Sequence, residues 1–299
     1  MWLDLRPYNG NTVTIMSRRA DADDYIDPDS RFATVDGHHI HYKRTGTGPS
    51  VLLLHGSGSS LHSFDRVAAA LSSSFDVIRP DLPGFGLTGP RADRDYRIPA
   101  FASTVGAFLH AIGVERTSVV GNSLGGNIAW NFALDHPRRL GRLVLINATG
   151  YPGKSLPLAL RLARNPIGRV LIRKLSSRSA TERNLRSTVG SNKSVVDDAM
   201  VDRVYAMLTR PGNQQAFIDF ANTEQVDRTS EIPTIEVPTM VLRSASVDAQ
   251  HFARDIPGSL ERTHPSGGHL LPDEDPEWVT SELLNFLTTD VPAPQEDRR

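Results

Sequence analysis

Gly121-Asn122-Ser123-Leu124-Gly125-Gly126 follows an apolar run ending at Val120 and precedes a helical pattern over 127–134, which places a serine on a sharp strand-to-helix turn. Such a turn crowds its neighbours, so the positions two before and two after the serine must be small, and Gly121 and Gly125 meet that need. The chemistry this suggests is nucleophilic attack by Ser123, with the helix N-terminus favouring negative charge as it develops. A second segment, His55-Gly56-Ser57-Gly58-Ser59-Ser60, follows the apolar run 51–54 and offers loop amides. The backbone N–H groups of Ser57 and Leu124 are the expected oxyanion hole, where losing one donor typically costs ~10²–10³ in rate. Gly56 and Gly58 would also suit a dinucleotide-binding loop, but the third glycine of that fingerprint would fall at Leu61. His55 is read as a brace for this loop.

The base is expected at His269, in Ser266-Gly267-Gly268-His269-Leu270, between a strand over 259–263 and a terminal helix. Of the ten histidines it alone has that context. His39 and His41 share one face of a hairpin but lack a carboxylate or thiolate framework nearby in sequence, so no metal site is expected there. His110, His136, His251 and His264 read as surface or helix residues, and Asp273 and Asp275 as helix caps.

The elements that must position these residues are legible as periodicity. Unbroken apolar runs at 51–54, 75–78, 118–120, 143–146 and 239–242 have the character of strands covered on both faces. Residues 32–42, alternating around Asp36-Gly37, predict a β-hairpin. Phe101, Val105, Phe108, Leu109 and Ile112 fall on one helical face that Gly113 can stop. Asp275 and Pro276 open a terminal helix whose Trp278, Val279, Leu283, Leu284, Phe286 and Leu287 face the sheet. The alternation predicts an α/β fold, a mostly parallel doubly wound sheet. Residues 151–235 interrupt it with helical patterns at 156–175 and 195–208, expected to form an inserted helical cap. The core is then 31–150 plus 236–288, with an N-terminal extension over 1–30 and a tail over 289–299. Arg161, Arg164, Arg169, Arg173 and Lys174 read as the solvated basic face of a lid helix in preference to a membrane-surface helix.

Composition narrows the function. The absence of cysteine excludes disulfides, thiol nucleophiles and thiolate metal sites. A net charge of −1, from 33 basic and 34 acidic residues, creates no global field for nucleic acid or an anionic membrane, so a small neutral molecule is the expected substrate. No apolar block near the N-terminus reads as a signal peptide and no stretch reads as a membrane span, giving a cytoplasmic expectation. No feature specifies an oligomeric state.

Together with Asp81-Leu82-Pro83-Gly84-Phe85-Gly86, these motifs resemble the α/β-hydrolase superfamily, in particular its capped members related to esterases and carbon–carbon bond hydrolases. The resemblance covers about residues 31–150 and 236–288. It implies that Asp81 is scaffold and that a triad acid lies after the strand ending at Leu242. That loop is shortened here, and Asp248 is its best carboxylate; Asp255, another partner, or no acid at all are the alternatives. Asn147 stands where a different acid position would be. Ester hydrolysis of small to medium apolar substrates through an acyl-enzyme is expected, in an apolar pocket supplied by the cap and with no metal or organic cofactor. Related enzymes that cleave haloalkanes or epoxides carry an aspartate where Ser123 stands, which disfavours those activities. Two other readings are open. Asn122-Ser123 with Gly125-Gly126 is similar to the turn of meta-cleavage-product hydrolases, which cleave carbon–carbon bonds in vinylogous diketones, although Leu270 replaces the tryptophan those enzymes usually show after the histidine. The shortened acid loop also suits a non-hydrolytic role in acyl transfer, cyclisation or ligand binding.

Overall fold

The apolar runs lie side by side at the centre of one eight-stranded sheet, in a computed structural model that describes residues 21–152, 158–247 and 251–289. In chain order the strands are β1 (Arg31–Val35), β2 (His38–Thr45), β3 (Ser50–Leu54), β4 (Asp76–Pro80), β5 (Thr117–Asn122), β6 (Leu140–Ile146), β7 (Thr239–Ser244) and β8 (Leu260–His264). Their spatial order is β1-β2-β4-β3-β5-β6-β7-β8. β2 runs antiparallel to both its neighbours, and every pairing from β4 to β8 is parallel. The β1–β2 hairpin turns at Asp36 and Gly37 with φ of 49° and 79°, the left-handed pair that a two-residue turn requires.

The helices are α1 (Asp65–Leu71), α2 (Ile98–Ala111), α3 (Leu124–Asp135), α4 (Leu158–Arg164), α5 (Pro166–Leu175), α6 (Arg178–Thr188), α7 (Asp198–Thr209), α8 (Asn213–Asn222), α9 (Phe252–Asp255), α10 (Leu271–Glu274) and α11 (Pro276–Thr288). Strand side chains alternate between two cores because successive residues point to opposite faces. Leu52, Leu54, Val119, Leu143 and Leu145 pack with Phe101, Phe108, Ile128 and Phe132 from α2 and α3. Val51, Leu53, Val120, Val144 and Ile146 pack with Val67 and Leu71 of α1 and Val279 and Leu283 of α11. Each such large side chain contributes about 1.5–3 kcal/mol on burial, and the site stands on this rigid base.

β3 lies between β4 and β5, which the chain reaches by crossovers in opposite directions along the sheet. The carboxyl ends of β3 and β5 thus border a topological switch point, where open α/β sheets leave a crevice. The helical region between β6 and β7 lies at that end. The single helical pattern expected over 156–175 is in fact two helices, α4 and α5, broken at Asn165 and Pro166. The Asn165 side chain accepts from the N–H groups of Ile167 and Gly168, and proline fits the first helical position, so this pair starts a new helix. Among the described residues no helix is long and apolar enough to cross a membrane.

Candidate active site

Ser123 sits between the last residue of β5 and the first of α3 with φ 54° and ψ −112°, a conformation that L-residues rarely adopt. Its backbone is tied on both sides: its N–H donates to Ile146 O at 3.0 Å, and its carbonyl accepts from Asn127 N at 3.0 Å and Thr149 N at 3.2 Å. The glycine requirement is steric. A Cβ on Gly125 would lie 2.1 Å from Leu54 O, and one on Gly121 would lie 2.3 Å from the backbone of Gly125. The turn therefore holds α3 against the end of β3.

His269 arrives from the loop after β8, with Nε2 2.8 Å from Ser123 Oγ. That loop is heavily braced. Asn122 and Asn147 both donate side-chain N–H bonds to His269 O, and Asn147 also reaches Gly268 O at 3.0 Å. Ser244 and Ser246 donate to Gly268 O and Gly267 O. The Glu274 carboxylate accepts from the amides of Gly268, Leu270 and Gly190. The sequence reading missed these polar partners, whose one local signal was the neutral Asn147. His264 corrects an expectation: it is buried at the end of β8, its Nδ1 accepting from Gly267 N at 2.7 Å and its Nε2 lying 3.1 Å from Asp275.

The loop after β3 comes close to the serine, since a Cβ on Gly56 would sit 3.3 Å from Ser123 Cβ. Ser57 and Leu124 line the same cavity as Ser123 and His269. Leu124 opens α3, where first-turn amides have no acceptor within the helix. His55 braces the loop as expected: its ring lies 2.8 Å from Gly56 O and its Nε2 accepts from Leu82 N at 2.9 Å. Burial holds its imidazole below the ordinary value, against the pull of Asp81. Asp81 is buried and accepts from the amides of Leu61 and Leu87 and from the His41 ring at 2.8 Å. Gly86 lies flat on that carboxylate, where a Cβ would be 2.1 Å from Asp81 Cγ.

Asp248 lies outside the described residues. The residues before it, Ser246 and Val247, line the cavity that holds His269. Asp255, the alternative acid, lies on α9 with its carboxylate on Tyr151 Oη at 2.7 Å and on Arg254. Asp275 caps α11 by accepting from Trp278 N at 2.9 Å. Asp273 does not cap a helix: α10 begins after Leu270 without a side-chain cap, and Asp273 faces the cavity. Among the described residues no group of histidines and carboxylates could hold a metal ion.

A family model described as alpha/beta hydrolase fold matches residues 49–276. The chain belongs to the α/β-hydrolase family. It is 30% identical over 292 residues to an uncharacterised protein of Mycobacterium tuberculosis, covering 90% of this chain and 84% of that one. It is 32% identical over 273 residues to a 2-hydroxy-6-oxononadienedioate/2-hydroxy-6-oxononatrienedioate hydrolase of Paraburkholderia phymatum, covering 83% and 90%. Among solved structures it is similar to the epoxide hydrolase CorEH, with a TM-score of 0.78, 21% identity and coverage of 86% and 98%. A thermophilic esterase from Thermogutta terrifontis gives a TM-score of 0.72 at 24% identity, covering 86% and 97%. At these identities the two structures establish the fold of this α/β-hydrolase.

The cavity above Ser123 has a volume of about 1660 Å³. The inserted helical region supplies apolar walls, with Leu160, Ile172, Met200, Val204 and Phe217, and also basic side chains, among them Arg183, Lys193 and Arg203. Which of the several arginines of this region turn inward is a property of the folded chain that its periodicity does not carry.

Proposed function

We propose that this α/β-hydrolase is a serine hydrolase that cleaves carboxylic esters of small to medium substrates through an acyl-enzyme. The observation that carries the reading is the 2.8 Å separation of Ser123 Oγ and His269 Nε2 on a strained turn that opens into a large cavity. Ser123 Oγ attacks the ester carbonyl as its proton passes to His269 Nε2, and the amides of Ser57 and Leu124 receive the oxyanion. Collapse expels the alkoxide, which takes the proton from His269. Water, deprotonated by His269, then attacks the acyl-enzyme and releases the acid, and the proton returns to Ser123. Asp248, which follows β7 in the sequence, is the proposed carboxylate that orients the imidazole.

Hydrolysis of a chain-length series of 4-nitrophenyl esters by wild type and Ser123→Ala tests this. A fall of at least about 10⁴-fold in kcat/KM in the variant is expected, because removing the nucleophile abolishes the acyl route. Equal, negligible rates from two folded proteins would overturn the esterase reading.

Carbon–carbon bond hydrolysis of a diketone-type substrate is the second reading. It draws support from the basic side chains in the cavity and from the kinship with the dioate hydrolase of Paraburkholderia phymatum. The same Ser123 and His269 would act, and turnover of a vinylogous diketone dioate exceeding that of every ester would favour it.

A further inference from the structure

The corner where α4 meets α5 joins exposed apolar side chains to a concentration of positive charge. Of the seven large hydrophobic side chains that are exposed among the described residues, three lie here within nine positions: Leu162 at 40%, Ile167 at 73% and Val170 at 50%. Single exposed hydrophobics are ordinary, but a cluster on one short stretch marks a surface that meets something apolar. The corner is held in place from beneath. Gly168 packs flat on the end of α4, where a Cβ would lie 2.1 Å from Leu162 O, and the buried Ala163 accepts at its carbonyl from Asn222 of α8 at 2.9 Å. Ile167 and Val170, three positions apart on α5, share one face, and that face is turned to solvent.

The charge is equally local. No Asp or Glu occurs between Asp135 and Glu182, and α4 and α5 carry the five cations Arg161, Arg164, Arg169, Arg173 and Lys174, although the whole chain has a net charge of −1. Among the described residues no carboxylate pairs with Arg161, Arg164 or Arg169. Arg164 and Arg169 donate to the carbonyl oxygens of Ala221 and Ala163, which leaves their charges uncompensated. We propose that the α4–α5 corner is a docking surface for an anionic lipid bilayer. The apolar side chains enter the boundary between headgroups and acyl chains, and the arginines meet the lipid phosphates. Charge complementarity selects this occupant. A second copy related by a two-fold axis would set the cations against themselves, and a nucleic acid would leave Ile167 and Val170 without an apolar partner. The expectation of a solvated basic face thus gives way at Ile167 and Val170, which the fold turns outward beside the charges. Docking also serves the candidate site: Leu160 and Arg164 of α4 and Ile172 of α5 line the cavity that holds Ser123, so an amphiphile would pass from the bilayer to the cavity along these two helices.

Binding does not depend on ester chemistry, and it is tested by co-sedimenting the full chain with vesicles of phosphatidylcholine, alone or mixed with equal parts phosphatidylglycerol. Wild type is expected to bind the mixed vesicles at about 0.1 M salt, more weakly at about 0.5 M, and to bind phosphatidylcholine alone at least about tenfold more weakly. Arg161→Gln should weaken binding to the mixed vesicles about fivefold, the effect of one cation at an anionic surface. The double substitution Ile167→Ser, Val170→Ser should weaken it at least about tenfold. All three side chains are exposed, so these variants should keep the wild-type melting temperature. The place of contact is read separately. The chain has no cysteine, so Ile167→Cys and Glu115→Cys each accept a single environment-sensitive fluorophore. Glu115 is exposed just before β5, at the end of the sheet opposite the inserted helices. A blue shift on mixed vesicles at position 167 but not at 115 supports the proposal. No binding to the mixed vesicles, equal binding to both vesicle types, variants that bind like wild type, or equal shifts at both positions would overturn it. A concentration-dependent dimer that the double substitution dissolves would also overturn it, by giving the face to a second copy.

Discussion

Asp81 shows how one buried side chain can hold two loops and a strand together beside a candidate site it does not touch. Its carboxylate receives the amides of Leu61 and Leu87 and the ring of His41, with His55 3.9 Å away, so the loop after β3 and the loop after β4 close on one charge. Burial alone would raise its pKa, yet His41, His55 and the Leu61 amide outweigh burial and hold it below the ordinary range. A depressed folded-state value means that Asp81 contributes stability above the unfolded carboxylate pKa of about 4, and that this is lost as pH falls through the lower folded value. Asp81→Asn is expected to cost about 3–5 kcal/mol near neutral pH, as breaking a buried pair does, and to flatten the acid limb of stability. Urea melts of both proteins between about pH 3 and about pH 7 check it; equal slopes would contradict the assignment. At this scale the sequence was most informative where a residue is constrained by its neighbours in the chain. Ser123, His269, Asp81 and the His55 brace are of that kind. Arg203 and Asp273 are not, because facing the cavity depends on how distant helices settle over it.

The elements explain why two glycines are required beside Ser123. With Leu54 O only 2.1 Å from where a Gly125 Cβ would sit, Gly125→Ala must push α3 away from β3 or unwind its first turn. Overpacking of this kind typically costs 1–3 kcal/mol, and a displacement of about 1 Å at the nucleophile can cost about 10²-fold in rate. We expect Gly125→Ala to lower the melting temperature and to reduce kcat/KM by about that factor, checked by calorimetry and ester kinetics. Unchanged values would mean that the turn relaxes freely. The central strands were legible because burial on both faces leaves unbroken apolar runs. β8 was harder to bound, since at the sheet edge Leu260, Glu261, Arg262 and Thr263 are all exposed and carry no apolar signature. The break between α4 and α5 was present in the sequence as Asn165-Pro166, but continuous apolar periodicity across it masked the signal.

At the scale of the whole molecule, the helical region between β6 and β7 joins the core through the histidine loop itself. Thr188 O accepts from His269 N at 2.8 Å, Ser191 N donates to Ser266 O at 3.0 Å, and a Cβ on Gly190 would lie 2.2 Å from Ser266 O. No periodicity could reveal this junction, because its partners are about 80 residues apart in sequence and meet by backbone atoms. Glu274 ties the two sides together, accepting from Gly190 of the helical region and from Gly268 and Leu270 beside His269. Glu274→Ala would strand three amides, each costing about 1–3 kcal/mol when buried and unpaired, with partial relief by water. The expected result is a lower melting temperature and faster proteolysis within residues 176–238 than global unfolding allows. A drop in kcat larger than any rise in KM should accompany it, because His269 loses its position more than the cavity loses its walls. Glu274→Gln keeps one acceptor oxygen and should recover part of both effects. If Glu274→Ala instead raises KM alone and leaves kcat intact, the junction only shapes the cavity, and the placement of His269 rests on the asparagine pair, Asn122 and Asn147.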